Sequence, residues 1–254
     1  QEVTLNAGVA TKLALSSSSQ TVASRSPLAS ITVTAQDDFE NLVGDVRTVS
    51  VSISKGVTRL QTPTMTGERV LTSGVLAGQV VYSDLVVRGV ADTYTLEFTS
   101  PNLTATTHTV RLTHAEAAAL LVTAPTTAAN DRDFGSNVVV DIVDLDGNVV
   151  TSGTQSTQTI TLTANTTLTG IRAISATAGR ATFTGLRMLG TVGTKILGAS
   201  IEVPSIEKFT NIELGFGDAR RLVVSTQASG FVNRVAFSTQ PELLLRTHRV
   251  TRSR

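Results

Sequence analysis

One polar turn, written twice at a fixed distance, constrains this chain more than any other feature. Ile31–Val43 reads ITVTAQDDFENLV and Val138–Val150 reads VVVDIVDLDGNVV, so Asp37, Asn41 and Val43 recur as Asp144, Asn148 and Val150, each 107 residues on. Both stretches read as a strand entering a tight turn. Val138, Val140 and Ile142 fall on one face at period two, and Gly147 and the Asx residues supply turn chemistry, since glycine tolerates positive φ and Asx side chains bond their own backbone. Such self-similarity defines a repeat protein, and a 107-residue period in 254 residues makes two full copies the natural count.

Other segments fall into the same register. Val3-x-Leu5 with Leu13 recurs as Val110-x-Leu112 with Leu120 and as Ile212-x-Leu214 with Leu222, at identical spacing. The pair closes one copy and the later leucine opens the next. Four segments follow: 1–9, the last strand of a preceding repeat or a donor strand; 10–115, repeat 1; 116–218, repeat 2; and 219–254, the start of an incomplete repeat 3. Ala178–Ala199 matches the stretch from Ala77 at an offset of 101, which places a six-residue deletion between 150 and 178, in a surface loop where length changes cost little.

Within repeat 1, Leu13 and Leu15 begin the first strand and Ser16–Thr21 is read as the loop after it. Val49, Val51 and Ile53 point inward from the strand Thr48–Ser54, and a looser segment runs to Gly78. Val81, Leu85 and Val87 mark one further inward face; Tyr94, Leu96 and Phe98 mark another. Ala115–Leu121 is read as a linker entering a strand. About seven short strands per 100 residues, separated by turn signals and free of helical periodicity, predict an all-β fold of tandem immunoglobulin-like antiparallel β-sandwiches. In the third copy two strands are too few to hide a core.

Composition agrees. With 41% hydrophobic and 16% charged residues the chain can bury cores and is not of the disordered class. The basic residues concentrate at the end, where RTHRVTRSR carries four arginines; taking these from the net charge of +1 leaves −3 for the remainder. No basic stripe interleaved with aromatics is present, so no nucleic-acid partner is expected. No apolar run reaches the roughly 18 residues of a membrane helix. There is no cysteine, which removes disulfides, thiolate metal sites and a cysteine nucleophile.

The order V-x-V-x-x-x-D-x-x-G-N-x-V, then A-G-x-A-x-F-x-x-L and a glycine before an alternating strand, is carried by Val138, Val140, Asp144, Gly147, Asn148 and Val150, and by Ala178, Gly179, Ala181, Phe183, Leu186 and Gly190. It resembles the tandem immunoglobulin-like repeats of large surface proteins, as in bacterial invasin-type adhesins and in filamin-like repeats of algal and protist extracellular proteins. Repeat 1 departs from the pattern at Glu40, where the turn glycine would stand, and at Tyr82 in place of the phenylalanine. The resemblance implies a structural segment of an extracellular filament, stalk or surface fibre. It further implies neighbouring repeats or subunits in a head-to-tail filament, covalent glycans, and a cell-surface location.

No residue pattern points to catalysis. His108, His114 and His248 are scattered over a strand end, a linker and the tail, and are read as solvent-exposed or loosely packed; no enzyme activity and no cofactor are expected. Asp144-x-Asp146-Gly147-Asn148 resembles the opening of a calcium loop, but Thr151–Gln155 lack the distal acid, so both it and Asp37–Asn41 are read as repeat-defining turns with no metal. Gly185–Lys195 lacks the ending of a phosphate loop and is read as a hairpin. Asn102-Leu103-Thr104 and Asn165-Thr166-Thr167 are glycosylation candidates at expected turns. An alternative reading is an adhesin-type module that recognises a glycan or protein through its loops, although the chain has no Trp and two Tyr to build such a surface. The truncated ends allow two versions of the filament: a window on a longer tandem array, or a subunit whose residues 1–9 complete a neighbour's third repeat by strand addition.

Overall fold

The structure, a computed structural model, describes residues 3–4, 6–59, 61–73, 78–219 and 221–246. It is all-β, and the one helical element among the described residues is a 3-10 turn at Thr154–Thr157. Two compact units emerge: Gln1–Ala119 together with Ile142–Gln155, and Leu120–Asp141 together with Ser156–Arg254.

The first copy runs β1 (Lys12–Leu15), β2 (Ser19–Ala23), β3 (Ile31–Gln36), β4 (Thr48–Ile53), β5 (Thr64–Thr66), β6 (Val70–Thr72), β7 (Gln79–Tyr82), β8 (Val86–Arg88), β9 (Thr93–Thr99) and β10 (Thr106–Thr113). The strands form a three-stranded sheet β1-β3-β7, a five-stranded sheet β2-β10-β9-β4-β6 and a separate short pair β5-β8. Pairing between these strands is antiparallel except at the edge, where β2 runs parallel to β10, and an isolated parallel bridge joins Lys12 to Thr104. Ser19–Thr21, expected in a loop, belong to β2, because a chain crossing from one layer to the other can still add an edge strand. Val80 and Tyr82 face inward from β7 while Val81 is half exposed, so the inward face lies one residue from the expected one; Leu85 and Val87 are buried as expected. Alternation restarts after the Ser83–Leu85 break, which a single period drawn through both strands cannot capture.

The second copy repeats this plan with β11 (Ala119–Thr123), β12 (Thr127–Ala129), β13 (Val138–Val143), β14 (Thr159–Ala164), β15 (Thr167–Thr169), β16 (Ala173–Ser175), β17 (Arg180–Phe183), β18 (Arg187–Leu189), β19 (Gly193–Ile201) and β20 (Ile206–Gly215). Its sheets are β11-β13-β17 with β15-β18, and β12-β20-β19-β14-β16, again with a parallel edge pair. The length difference between copies is spread over several loops: Ser54–Pro63 of the first copy corresponds to Asn165–Thr166 of the second, while the second gains the 3-10 turn. Gly185–Lys195 is not a hairpin. β18 pairs with β15, and β19 pairs with β14 and β20, so the segment crosses between layers.

Alternating apolar residues make each core. In the first copy Ile31, Val33, Tyr82, Leu96, Phe98 and Val110 are almost wholly buried, with Tyr82 and Phe98 tilted against one another at 5.3 Å. Burial obliges the Tyr82 hydroxyl to find an acceptor, and it donates to the Val49 carbonyl at 2.7 Å. At the matching places the second copy has Phe183 and Ala199, both buried and needing no polar partner. Buried Asp141 on β13 is answered by its register partner on β17, Arg180, which donates at 2.6 and 2.9 Å. The remaining strands, β21 (Arg221–Thr226) and β22 (Glu242–Arg246), pair antiparallel as a ribbon whose residues Leu222, Leu243 and Leu245 stay exposed. Two strands expose both faces, as expected. No strand includes Val3, Thr4 or Asn6–Val9; Leu5 and His248 lie outside the described residues.

Candidate functional site

The most elaborate polar arrangement of the first unit centres on Asp144–Asn148. The turn is self-made. Asp144 Oδ1 accepts from the Asp146 and Asn148 amides at 2.9 and 2.8 Å, and its Oδ2 accepts from Asn148 Nδ2 at 3.0 Å. Backbone bonds close the loop from Asp144 N to Asn148 O and from Gly147 N to Asp144 O. Gly147 has φ 80°, the left-handed region in which a side chain costs about 1 kcal/mol or more. The free edge of Asp144 Oδ2 takes the Ala115 amide at 2.8 Å, fixing the segment that leads into β11.

Outward from this turn, its side chains satisfy backbone elsewhere in the same unit. Asn148 donates from Nδ2 to the Gly89 carbonyl at 3.0 Å and accepts the Ala91 amide on Oδ1 at 2.7 Å, so one carboxamide holds both ends of the β8–β9 turn. Asp146 accepts Ser24 Oγ at 2.6 Å and receives Arg25 in a fork, Nε at 2.9 Å and Nη2 at 2.7 Å. Ser24 is buried and accepts the Gly89 amide in turn. Burial is the largest single influence on the Asp146 carboxyl and pushes its pKa up, but the hydrogen bonds from Arg25 and Ser24 and the charges of Arg25 and Arg88 together bring it below the usual carboxylate range. Nearby, His114 bonds the Ala115 carbonyl and Ser152 Oγ, and Gln155 accepts the Ala117 amide.

The turn at Asp37–Asn41 is the same device. Asp37 Oδ1 accepts the Phe39 and Asn41 amides, Oδ2 accepts Asn41 Nδ2 and the Gly8 amide, and Glu40 occupies the glycine position with φ 69°. The Gly8 amide bond holds the Asp37 carboxyl below its ordinary pKa, with the Asn41 side chain next in effect. Around it the surroundings differ. Asn41 is exposed where Asn148 is buried, and Phe39, in the place of Asp146, is 86% exposed.

Every oxygen of Asp144 and Asp146 already accepts N–H or O–H donors, so a cation would have to displace them, and among the described residues no group of three or more His, Asp or Glu could hold one. An open cleft in the first unit, lined by Arg59, Asp92, Arg111, His114 and Ser152, has one acid, Asp92. Its carboxyl is held down to about 2 by the amide of Arg59 first, with those of Thr58 and Thr93 also donating, so it serves as a loop anchor and lacks a second carboxylate for acid–base work. His108 corrects the sequence reading: it is fully buried on β10, with Nδ1 on the Ser17 carbonyl at 2.8 Å and Nε2 unpartnered. A carbonyl only accepts, so Nδ1 carries the proton.

Of the glycosylation candidates, Asn102 is exposed at the apex of the β9–β10 turn with φ 64°, and no hydrogen bond engages its carboxamide. Asn165 is also exposed, between β14 and β15, but its Oδ1 accepts the Ile196 amide at 2.9 Å. Sequence reading found the turn residues and missed Ser24, Arg25, Gly89 and Ala91. Nothing in the local sequence of those four signals a partner about 60 to 120 positions away.

No protein-family model matches the chain, and no curated protein matches it. Among solved structures it is similar to surface layer protein SbsC, domains 4–9, at 17% identity and TM-score 0.29, over 86% of this chain and 33% of that one. It is also similar to a protein of Corynebacterium diphtheriae described as membrane anchored, at 13% identity and TM-score 0.34, over 86% and 58%. A β-glycosidase from Bacteroides vulgatus matches at 10% identity and TM-score 0.35, over 81% of this chain and 25% of the enzyme. The likeness is distant, concerns β-sandwich parts, and spans a quarter to just over half of those chains. Among the described residues no helix is long and apolar enough to cross a membrane.

Proposed function

We propose that this chain is a structural repeat segment of an extracellular filament, stalk or surface fibre, working through neighbouring repeats of its own kind and carrying glycan on Asn102. The observation that supports this best is how its polar residues are used. Asp37, Asp144, Asp146, Asn148 and Arg25, the side chains most suited to chemistry, all hold backbone or one another. A module built to repeat needs such self-holding turns at every copy, and it has them at equivalent positions in two copies. Gold-labelled antibody against the chain, applied to intact unpermeabilised cells, should decorate surface fibres or a surface layer. Label confined to the cell interior would overturn the reading.

A further inference from the structure

The first copy has a loop that the second lacks, Ser54–Pro63 between β4 and β5, where the second has only Asn165–Thr166. This loop is pinned to the start of β9. Asp92 accepts the Thr58 amide at 2.9 Å and the Arg59 amide at 2.7 Å, and Val57 N donates to the Thr93 carbonyl at 3.0 Å. The fit is tight, since a Cβ at Gly56 would collide with the Asp92 carboxylate. Pinning sets Arg59 on the wall of an open cleft that Arg111 of β10 also lines. Both arginines are exposed, and among the described residues no acceptor engages either guanidinium. At the position matching Arg111 the second copy has Glu213, which accepts Thr194 Oγ1 at 2.8 Å. The paired cations therefore belong to the first copy alone.

We propose that this cleft binds an acidic polysaccharide, with Arg59 and Arg111 engaging a carboxylate or sulfate group and the hydroxyls beside them engaging the sugar ring. Guanidinium groups match such oxyanions with two parallel donors, and the one acid in the cleft, Asp92, turns its oxygens onto the loop amides. The rest of the lining favours a sugar over an acidic peptide. Thr93, Thr151 and Ser152 present hydroxyls, whereas Leu112 is buried and the other apolar side chains, Ala91 and Val149, are small and half-buried. A peptide would need more apolar cover than these give. Charge supplies the attraction that an aromatic platform would otherwise give. This goes beyond the fibre reading, which does not depend on it.

The full chain can be titrated with tetragalacturonate and with a sulfated tetrasaccharide while its amide NMR shifts are followed. At least one of the two should give saturable shifts at Arg59, Thr93 and Ser152, and the tighter ligand names the anionic group. Fully methyl-esterified tetragalacturonate keeps the hydroxyls, loses the charge, and should not bind. Arg59→Gln and Arg111→Glu should each weaken binding by about tenfold with circular dichroism unchanged. Arg252→Gln combined with Arg254→Gln, in the basic C-terminal stretch, should leave binding unchanged. The inference is overturned if neither acidic sugar binds, if the methyl ester or tetraglutamate binds as tightly, or if binding survives Arg111→Glu and is lost with the C-terminal variant.

Discussion

The two turns share their wiring and differ in their setting. In both, an aspartate accepts amides two and four residues ahead, an asparagine four residues on returns a bond to it, and an amide from 29 residues back completes the set. Yet Asn148 is buried in contacts with Gly89 and Ala91, whereas Asn41 faces solvent. The comparison separates two levels of encoding. Turn formation is local, set by Asp, Asn and a residue able to adopt positive φ; docking is set by residues distant in sequence, chiefly Ser24, Arg25 and the β8–β9 backbone.

Mutation should reveal that separation. Asn148→Ala strands a half-buried carbonyl and a half-buried amide and should destabilise the first unit by about 2 kcal/mol, whereas Asn41→Ala, whose carboxamide bonds only Asp37 within its own exposed turn, should cost about 0.5 kcal/mol. Calorimetric unfolding of both variants gives the ratio; equal losses would break the distinction. Arg25→Ala should cost less than Asn148→Ala, because the guanidinium is over a third exposed, and the cost should shrink as salt is raised. The glycine position tests the turn itself. Glu40→Gly should stabilise by about 0.5 to 1 kcal/mol and Gly147→Ala should destabilise by about 1 kcal/mol, since both sites have positive φ.

The cores offer a pH counterpart. Burial pushes the Tyr82 phenol up from 10.0 to about 12, so the folded first unit resists an ionisation that the unfolded chain accepts. Its contribution is fully present below pH 10 and is lost as pH rises from 10 towards 12. The second unit has Phe183 at that position and lacks the effect. Alkaline titration of thermal unfolding should lower the first unit's transition relative to the second's, and Tyr82→Phe should remove much of the difference.

The sequence made the all-β class, the turns and most inward faces legible because these obey short rules: period two, and Asx chemistry across four residues. It misplaced the face of β7, where Val81 alternates out and Val80 and Tyr82 alternate in, because the break before Val86 resets the period. Ser19–Thr21 read as a loop because their small polar side chains suit an edge strand and a loop equally. The fork from Arg25 to Asp146 was invisible, as no spacing rule links residues 121 apart. His108 was misjudged since burial of an imidazole depends on which strands cover it, and here the Ser17 carbonyl supplies its acceptor.

Hydrogen exchange at the Ala91 amide tests the central claim most directly, that Asn148 of the Asp144–Asn148 turn is built into the first unit. In the native chain this amide donates to Asn148 Oδ1 at 2.7 Å, so it should be protected nearly as well as the β9 strand that follows, and Asn148→Ala should abolish that protection while leaving β9 protected. Rapid exchange at Ala91 in the unmutated chain, or protection that survives Asn148→Ala, would contradict the account.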